Sequence, residues 1–246
     1  MPPKKHNEDI PLFIPRSFKS SAENKTGSWR YFRPLYEEKT APCSTACPAG
    51  EDIPRIELLV RQGLMQKAWQ TILEENPFPS ICGRVCFHPC ETACNRGEYD
   101  QPISIHRLER AIGDQALKQG SKSDLQPLAA NGKKAAIVGA GPAGLAAAYF
   151  LSRLGFGCDI FEAEAAPGGL LRWGIPAYRL PEDILNREIA RIEDQGITIH
   201  YRTPVTPDFM EKLQARFDAV FVGCGFSRPI RMNIPGEDPA HNGLQL

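Results

Sequence analysis

Residues 135–162 read AAIVGAGPAGLAAAYFLSRLGFGCDIFE, and this stretch decides the fold. Ala135 to Val138 form the short apolar run of a buried strand. Gly139, Gly141 and Gly144 follow in G-x-G-x-x-G spacing, with Ala140, Pro142 and Ala143 between them, and an alanine-rich helix comes next. A second strand ends on Glu162, 23 residues beyond Gly139. Gly139 permits the tight strand-to-helix turn, Gly141 lets the backbone approach a pyrophosphate, and Gly144 lets the helix lie close on the sheet. The diphosphate would face free N–H groups at the positive end of the helix dipole. Glu162 would accept hydrogen bonds from a ribose hydroxyl. A glycine turn that serves packing alone requires none of this ordered context, so a dinucleotide site is expected.

Working outward, the 246 residues can hold one large or two small domains. Hydrophobic content of 42% and charged content of 24% are those of a soluble globular protein. The 29 basic and 29 acidic residues cancel, which leaves no electrostatic case for nucleic acid or an anionic membrane. The start, MPPKKHNEDIPLF, lacks a signal-peptide core, and no run approaches a membrane span, so a cytoplasmic location is the default.

After Glu162, the Gly- and Pro-rich segment GGLLRWGIPAYRLP reads as a loop without regular structure. Residues 181–195 carry the pattern of an amphipathic helix, 197–201 of a strand, 207–216 of a helix, and Ala219–Val222 of a buried strand. Strands alternating with helices imply a mostly parallel sheet. Before the glycine stretch, residues 120–132 read as a linker. Upstream of it, helices are expected over about 54–62, 64–75 and 103–118, separated by irregular backbone around Pro77, Pro79, Gly83 and Pro89. Residues 1–41 read as an extension, with Trp29, Tyr31, Phe32 and Tyr36 placed to strap over the next domain. The expected organisation is α+β overall. It runs from the extension at 1–41 through a helical cluster domain at 42–119 and the linker at 120–132 to an incomplete α/β Rossmann-like domain at 133–246.

Six of the eight cysteines lie between Cys43 and Cys94. Cys158 and Cys224 stand in strand-like segments and read as small buried hydrophobes. In a reducing compartment a cysteine cluster binds metal more readily than it forms disulfides. Cys43 and Cys47 give C-x3-C-P, and Cys82, Cys86, Cys90 and Cys94 are each four apart. Zinc knuckles favour C-x2-C pairs, which are missing here, whereas C-x3-C-P is a ferredoxin ending. Gly83 and Pro89 argue against one continuous helix bearing the four later thiols. Iron–sulfur is therefore the expectation, and a zinc ion stapling a small domain is the alternative.

The strings CPAGEDIP, NPFPSICGRVCFHPCETACNRG, GAGPAGL and GGLLRWGIPAYRLP resemble the family of glutamate synthase small subunits. The same module resembles the N-terminal half of dihydropyrimidine dehydrogenase and the large subunit of the NADH-dependent ferredoxin:NADP oxidoreductase. The likeness runs from about Pro42 to the C-terminus. It implies a helical domain with two 4Fe–4S clusters beside a flavin, FAD on the first Rossmann domain, and NAD(P)H on a second, inserted one. It also implies one cluster held by Cys47, Cys86, Cys90 and Glu109, a position that bears Gln or Glu in relatives. On residue type alone Glu109 could equally be a solvated helix charge. The family's second cluster uses two upstream cysteines together with those matching Cys43 and Cys94. No cysteine precedes Cys43 here, so a second cluster would need Cys82 and a non-cysteine group. At least one cluster is expected, and two is the alternative count.

For FAD, the resemblance implies that Gly139 to Gly144 meet the pyrophosphate and Glu162 the adenosine ribose. Gly169, Leu170 and Arg179 would meet the rest of the cofactor, and the backbone near Val205 the adenine, with Arg172 and Trp173 along the loop. A surface arginine is the plain alternative for Arg179. No cysteine pair follows the glycine loop in the manner of a flavin disulfide reductase. The GSWRYFRPLYEEKTAPC lead-in looks more like the oxidoreductase that accompanies dissimilatory sulfite reductase. The implied function is electron transfer between NAD(P)H, FAD and 4Fe–4S clusters, to or from a redox partner protein. No side chain is assigned as an acid or base, because the cofactors carry the chemistry. The chain ends before the family's second glycine motif, which is expected of an N-terminal piece. A non-redox, zinc-stapled nucleotide-binding module is the competing expectation.

Overall fold

In a computed structural model, the chain divides into two units, residues 1–39 and 40–246. The structure describes residues 40–123 and 125–226. The first unit, and with it the aromatic strap, lies outside the described residues.

The second unit begins with helices. α1 (Pro42–Ala46) leads to α2 (Ile53–Arg61), which Asp52 caps by accepting from the Arg55 N–H at 3.2 Å. α3 (Met65–Glu75) buries Ala68, Trp69, Ile72 and Leu73 against Ile112 and Ala116 of a later helix. α1 was not expected, and neither were two further short helices, α4 (Pro79–Val85) and α5 (Pro89–Thr92). Both begin on a proline, whose missing N–H costs nothing at the first helical position. Gly83 does not break α4 either. A Cβ there would lie 2.5 Å from the backbone nitrogen of Arg110, so glycine is what lets α4 lie directly on α6 (Ile105–Gln119). The break does fall at Pro89, as expected.

The sheet follows. β1 (Lys134–Val138), α7 (Pro142–Arg153) and β2 (Gly157–Phe161) form the first crossover. α8 (Leu170–Trp173) and α9 (Glu182–Glu193) lead to β3 (Thr198–His200), and α10 (Pro207–Arg216) leads to β4 (Ala219–Val222). All pairings are parallel, in the order β3-β2-β1-β4. The central strand β1 is buried from Ala135 onward. Two expectations are corrected here. The segment after Gly169 does hold one helical turn, α8, closed by Trp173 N–H to Gly169 O at 3.0 Å. β4 is an edge strand with Phe221 and Val222 exposed, so it is not buried among the described residues.

The helical part and the sheet share a core. Phe78 and Ile81 pack in one cluster with Ile137, Leu145, Tyr149, Leu185 and Ile189. Tyr149 Oη donates to Leu73 O at 2.8 Å, and the carboxylate of Glu188, fully buried on α9, accepts from Ser80 N–H at 2.9 Å. Residues 121–133 have no regular structure, yet their backbone is tied to the sheet domain through Leu128 N–H to Arg153 O and Asn131 N–H to Gly155 O. Among the described residues no helix is long and apolar enough to cross a membrane.

Candidate functional site

The thiols gather where α1, α5 and the start of α6 meet. Cys43 and Cys47 pack against Cys90, Ile53 and Ile105. Between α4 and α5 the chain turns sharply at His88, which adopts a left-handed conformation (φ 56°) rare for a non-glycine residue. Its N–H points at Cys86 Sγ, 3.4 Å away. The His88 ring stacks on His106 at 4.1 Å, and His106 Nδ1 lies 2.6 Å from Glu91 Oε1. That turn separates α4 from α5, so Cys82, Cys86, Cys90 and Cys94 form no stripe on one helix. Both Cys47 and Cys86 lie within electrostatic reach of Cys90.

Glu109 is buried, 8% exposed, which rules out a solvated helix charge. Asn76 Nδ2 donates to Glu109 Oε1 and to Glu51 Oε1, each at 2.8 Å, and the Cys82 thiol faces Asn76 Oδ1 at 3.6 Å. Burial, then the charges of Glu51 and Glu188, push the Glu109 carboxyl well above its usual range. Burial likewise raises the thiols of Cys43, Cys47 and Cys82, and pushes Cys90 to about 12. Ligand thiols must deprotonate to bind metal, so loading this pocket would release protons and be driven by the metal's charge. Among the described residues no three His, Cys, Asp or Glu side chains converge at the spacing of a single metal ion. A 4Fe–4S cluster is a larger body with its ligands spread around it. Cys43 and Cys47 packed against Cys90, with Cys86 near it, make a soft donor set that fits such a cluster, while Glu109 lies with Asn76, Glu51 and Cys82.

The second half of the site is the β1–α7 turn. Gly139 has φ +97°, and a Cβ on Gly144 would collide with the Gly139 carbonyl oxygen, which ties the helix to the strand. Gly141 faces Gly169: a Cβ on Gly169 would lie 2.9 Å from Gly141 Cα. The two glycines thus form a cradle of bare backbone. Gly141, the N-cap of α7, offers no side-chain cap, so the first-turn N–H groups stay available to an anion. This geometry fits a dinucleotide diphosphate. Glu162 is buried at the end of β2. Its Oε2 accepts from Ala140 N–H at 2.6 Å and its Oε1 from Glu164 N–H at 2.9 Å, so it also holds the loop in shape.

The remaining residues named from sequence scatter more widely. Leu170 and Trp173 are exposed on α8. Arg179 is exposed on the following loop and makes no ion pair among the described residues. Val205 is half-buried against the cluster of Phe161, Leu213 and Phe217. Arg172 is engaged elsewhere: it bonds Pro167 O, Glu182 and Asn186, which clamps α8 to α9. Cys158 is buried as expected, but Cys224 is exposed beside Gly139 because β4 lies at the edge of the sheet. Sequence alone missed Glu51, Asn76, His88 and His106, whose roles depend on contacts across the fold and carry no local pattern.

Residues 35–121 match the family described as dihydropyrimidine dehydrogenase domain II, 4Fe-4S cluster. Residues 137–174 match the NAD(P)-binding Rossmann-like domain. The chain is 38% identical over 197 residues to the glutamate synthase [NADPH] small chain of Mycobacterium tuberculosis (strain CDC 1551 / Oshkosh), covering 80% of this chain and 40% of that one. Over that stretch it is similar to the glutamate synthase small chains. The NADPH-Fe(3+) oxidoreductase subunit beta of Geobacter sulfurreducens (strain DL-1 / KN400) is 41% identical over 211 residues, which is 85% of this chain and 31% of the relative. The NAD-dependent dihydropyrimidine dehydrogenase subunit PreT of Escherichia coli (strain K12) is 42% identical over 190 residues, with coverages of 76% and 46%. The chain has an iron–sulfur domain followed by a Rossmann-like domain. It spans a third to a little under half of their length. The zinc-stapled alternative gains no support from them.

Proposed function

We propose that the chain is the cluster- and flavin-binding portion of an oxidoreductase subunit. It passes electrons between NAD(P)H, FAD and a 4Fe–4S cluster, to or from a redox partner protein. Cys47, Cys86, Cys90 and Glu109 hold the cluster, with Cys43, Cys82 and Cys94 as the other thiols of the domain. Ala140, Pro142 and Ala143 with Gly139, Gly141 and Gly144 cradle the FAD diphosphate. Glu162 orients the ribose, Gly169 and Leu170 with Arg179 flank the flavin side, and the Val205 backbone meets the adenine. The domain limits are those of the sequence, with 42–119 for the cluster and 133–246 for the flavin.

The observation that carries this proposal is the shared core. Phe78 and Ile81, just before the ligand-bearing stretch, pack into the same apolar cluster as the β1 and α7 residues that set the glycine loop. A rigid junction keeps two redox groups at a fixed separation. Bound FAD would supply the exchange between hydride and single-electron chemistry. The protein's part is to bury the thiols, exclude water with Ile53 and Ile105, and present uncapped N–H groups to the diphosphate.

An anaerobic absorption spectrum of the purified chain, before and after dithionite, tests this. The expected result is a broad brown absorbance that bleaches on reduction, with about four irons per 4Fe–4S cluster. A colourless, iron-free protein that stays iron-free after anaerobic reconstitution would overturn it.

A further inference from the structure

Glu188 stands on α9 of the sheet domain and is fully buried. Its Oε2 pairs with Arg191 one turn further along, 2.8 Å from Nη2 and 3.1 Å from Nε. That pair is complete within α9 and needs nothing from the cluster domain. Both members nevertheless reach across the junction to the start of α4. Glu188 Oε1 accepts from the Ser80 N–H at 2.9 Å, and Arg191 Nη2 donates to the Pro77 carbonyl.

Ser80 lies in the first turn of α4, where an N–H has no carbonyl of its own helix to meet. The N-cap residue, Phe78, offers no side-chain cap. Ser80 is fully buried, and Gly113 of α6 lies so close that a Cβ there would sit 2.7 Å from the Ser80 nitrogen. A buried N–H without an acceptor is costly, so Glu188 supplies from another domain the cap that the sequence of α4 lacks. A buried ion pair seldom adds stability over apolar packing, so this pair matters for where it holds α4. The helix is only two turns long. It carries Cys82 and ends on Cys86, whose N–H bonds Cys82 O at 3.0 Å, so fixing the first turn fixes Cys86. The start of α9 is held in turn to the segment after Gly169, where Arg172 bonds Glu182 and Asn186.

We propose that Glu188 is a positioning residue of the cluster site: from the sheet domain it sets α4, and with it Cys86, before iron is loaded. The proposal rests on the iron–sulfur function above and adds to it a residue that touches no ligand.

Two double variants of the full chain test it, and both lack the ion pair. Glu188→Gln/Arg191→Met keeps an acceptor for the Ser80 N–H, whereas Glu188→Leu/Arg191→Met removes it. Both are reconstituted anaerobically and studied at a temperature where circular dichroism shows them folded. Iron release to a chelator and the electron paramagnetic resonance spectrum of the dithionite-reduced protein are recorded. The Leu variant should release iron about tenfold faster than the Gln variant, as expected when a buried donor loses its acceptor, and its g-values should shift. The Gln variant should keep the wild-type g-values. Equal release rates and equal g-values in the two variants would overturn the proposal, because a merely structural role lowers melting temperature without altering the signal of the folded protein. If the Leu variant does not fold, hydrogen exchange in the iron-free wild-type chain decides. The peptide covering residues 80–86 should be protected there, and exchange as fast as in urea would overturn the proposal. A wild-type chain that takes up no iron is a different failure, since it removes the function on which the proposal stands.

Discussion

Gly83 on α4 and Arg110 on α6 meet backbone to backbone, and a Cβ on Gly83 would lie 2.5 Å from the Arg110 nitrogen. A few residues along the same contact, a Cβ on Gly113 would lie 2.7 Å from the Ser80 nitrogen. This helix pair sets where Cys82 and Cys86 stand relative to Glu109. Gly83→Ala should push the helices apart at an overpacking cost of about 1–3 kcal/mol. The expected outcome is a lower denaturant midpoint and reduced iron retention. An unchanged midpoint would show that α4 is free to shift.

Glu162 bonds two backbone N–H groups from a buried position, so it shapes the glycine loop before any nucleotide arrives. Glu162→Gln turns two charge-assisted acceptor contacts into one neutral acceptor and one mismatched donor. A loss of about 1.5–3 kcal/mol in stability is expected, together with weaker flavin retention. Thermal melting with and without added FAD measures both. Loss of flavin with an unaltered melting temperature would instead make Glu162 a ligand contact alone.

Tyr149 Oη donates to Leu73 O at 2.8 Å, and Arg153 Nη1 also reaches that carbonyl at 3.1 Å. Tyr149→Phe therefore removes one donor while the acceptor keeps another. The expected cost is about 1 kcal/mol. Because one core joins the helices to the sheet, chemical unfolding should remain a single transition in both proteins, read by far-ultraviolet circular dichroism and tryptophan fluorescence. Two separated transitions in the wild-type chain would contradict the shared core.

Arg84 grips Asp114 through two bonds of 2.7 Å in a mostly buried pair. Burial raises the Asp114 carboxyl, but the Arg84 bonds and charge outweigh it and hold the group below its usual range. A carboxylate depressed in the folded state stabilises above its unfolded pKa of about 3.9, and that contribution is lost as the pH falls through the lower folded value. Asp114→Asn should thus cost about 2 kcal/mol at neutral pH, constant down to about pH 4, and the gap to wild type should close below that. Urea midpoints measured from pH 7 to 3 test the sign. A gap that widens in acid would contradict it.

Much of the sheet half was legible in the sequence, because its signals are local. The apolar run Ala135–Val138, the glycine spacing and the Pro207–Arg216 pattern each report a backbone conformation that near neighbours dictate. The short helices α4 and α5 were hidden because Pro79 and Pro89 read as breakers, although each sits at a first helical position where proline is tolerated. The edge exposure of β4 was equally invisible, since Ala219–Val222 is as apolar as a central strand.

The sequence by itself determined which chemistry is present. Cysteine spacing pointed to soft thiol donors, and the G-x-G-x-x-G turn followed by Glu162 pointed to the Rossmann-like strand–turn–helix that the fold contains. Only the tertiary structure decided how those groups are shared out. The left-handed turn at His88 separates Cys86 from Cys90, which packs against Cys43 and Cys47. The close contact of α4 with α6 carries Cys82 into the Asn76–Glu109 pocket, and the packing of α1 on α5 sets Cys43 and Cys47 against Cys90. These are contacts between residues distant in the chain, set by which helices can approach one another. Spacing along the sequence lists the thiols, and packing assigns them partners.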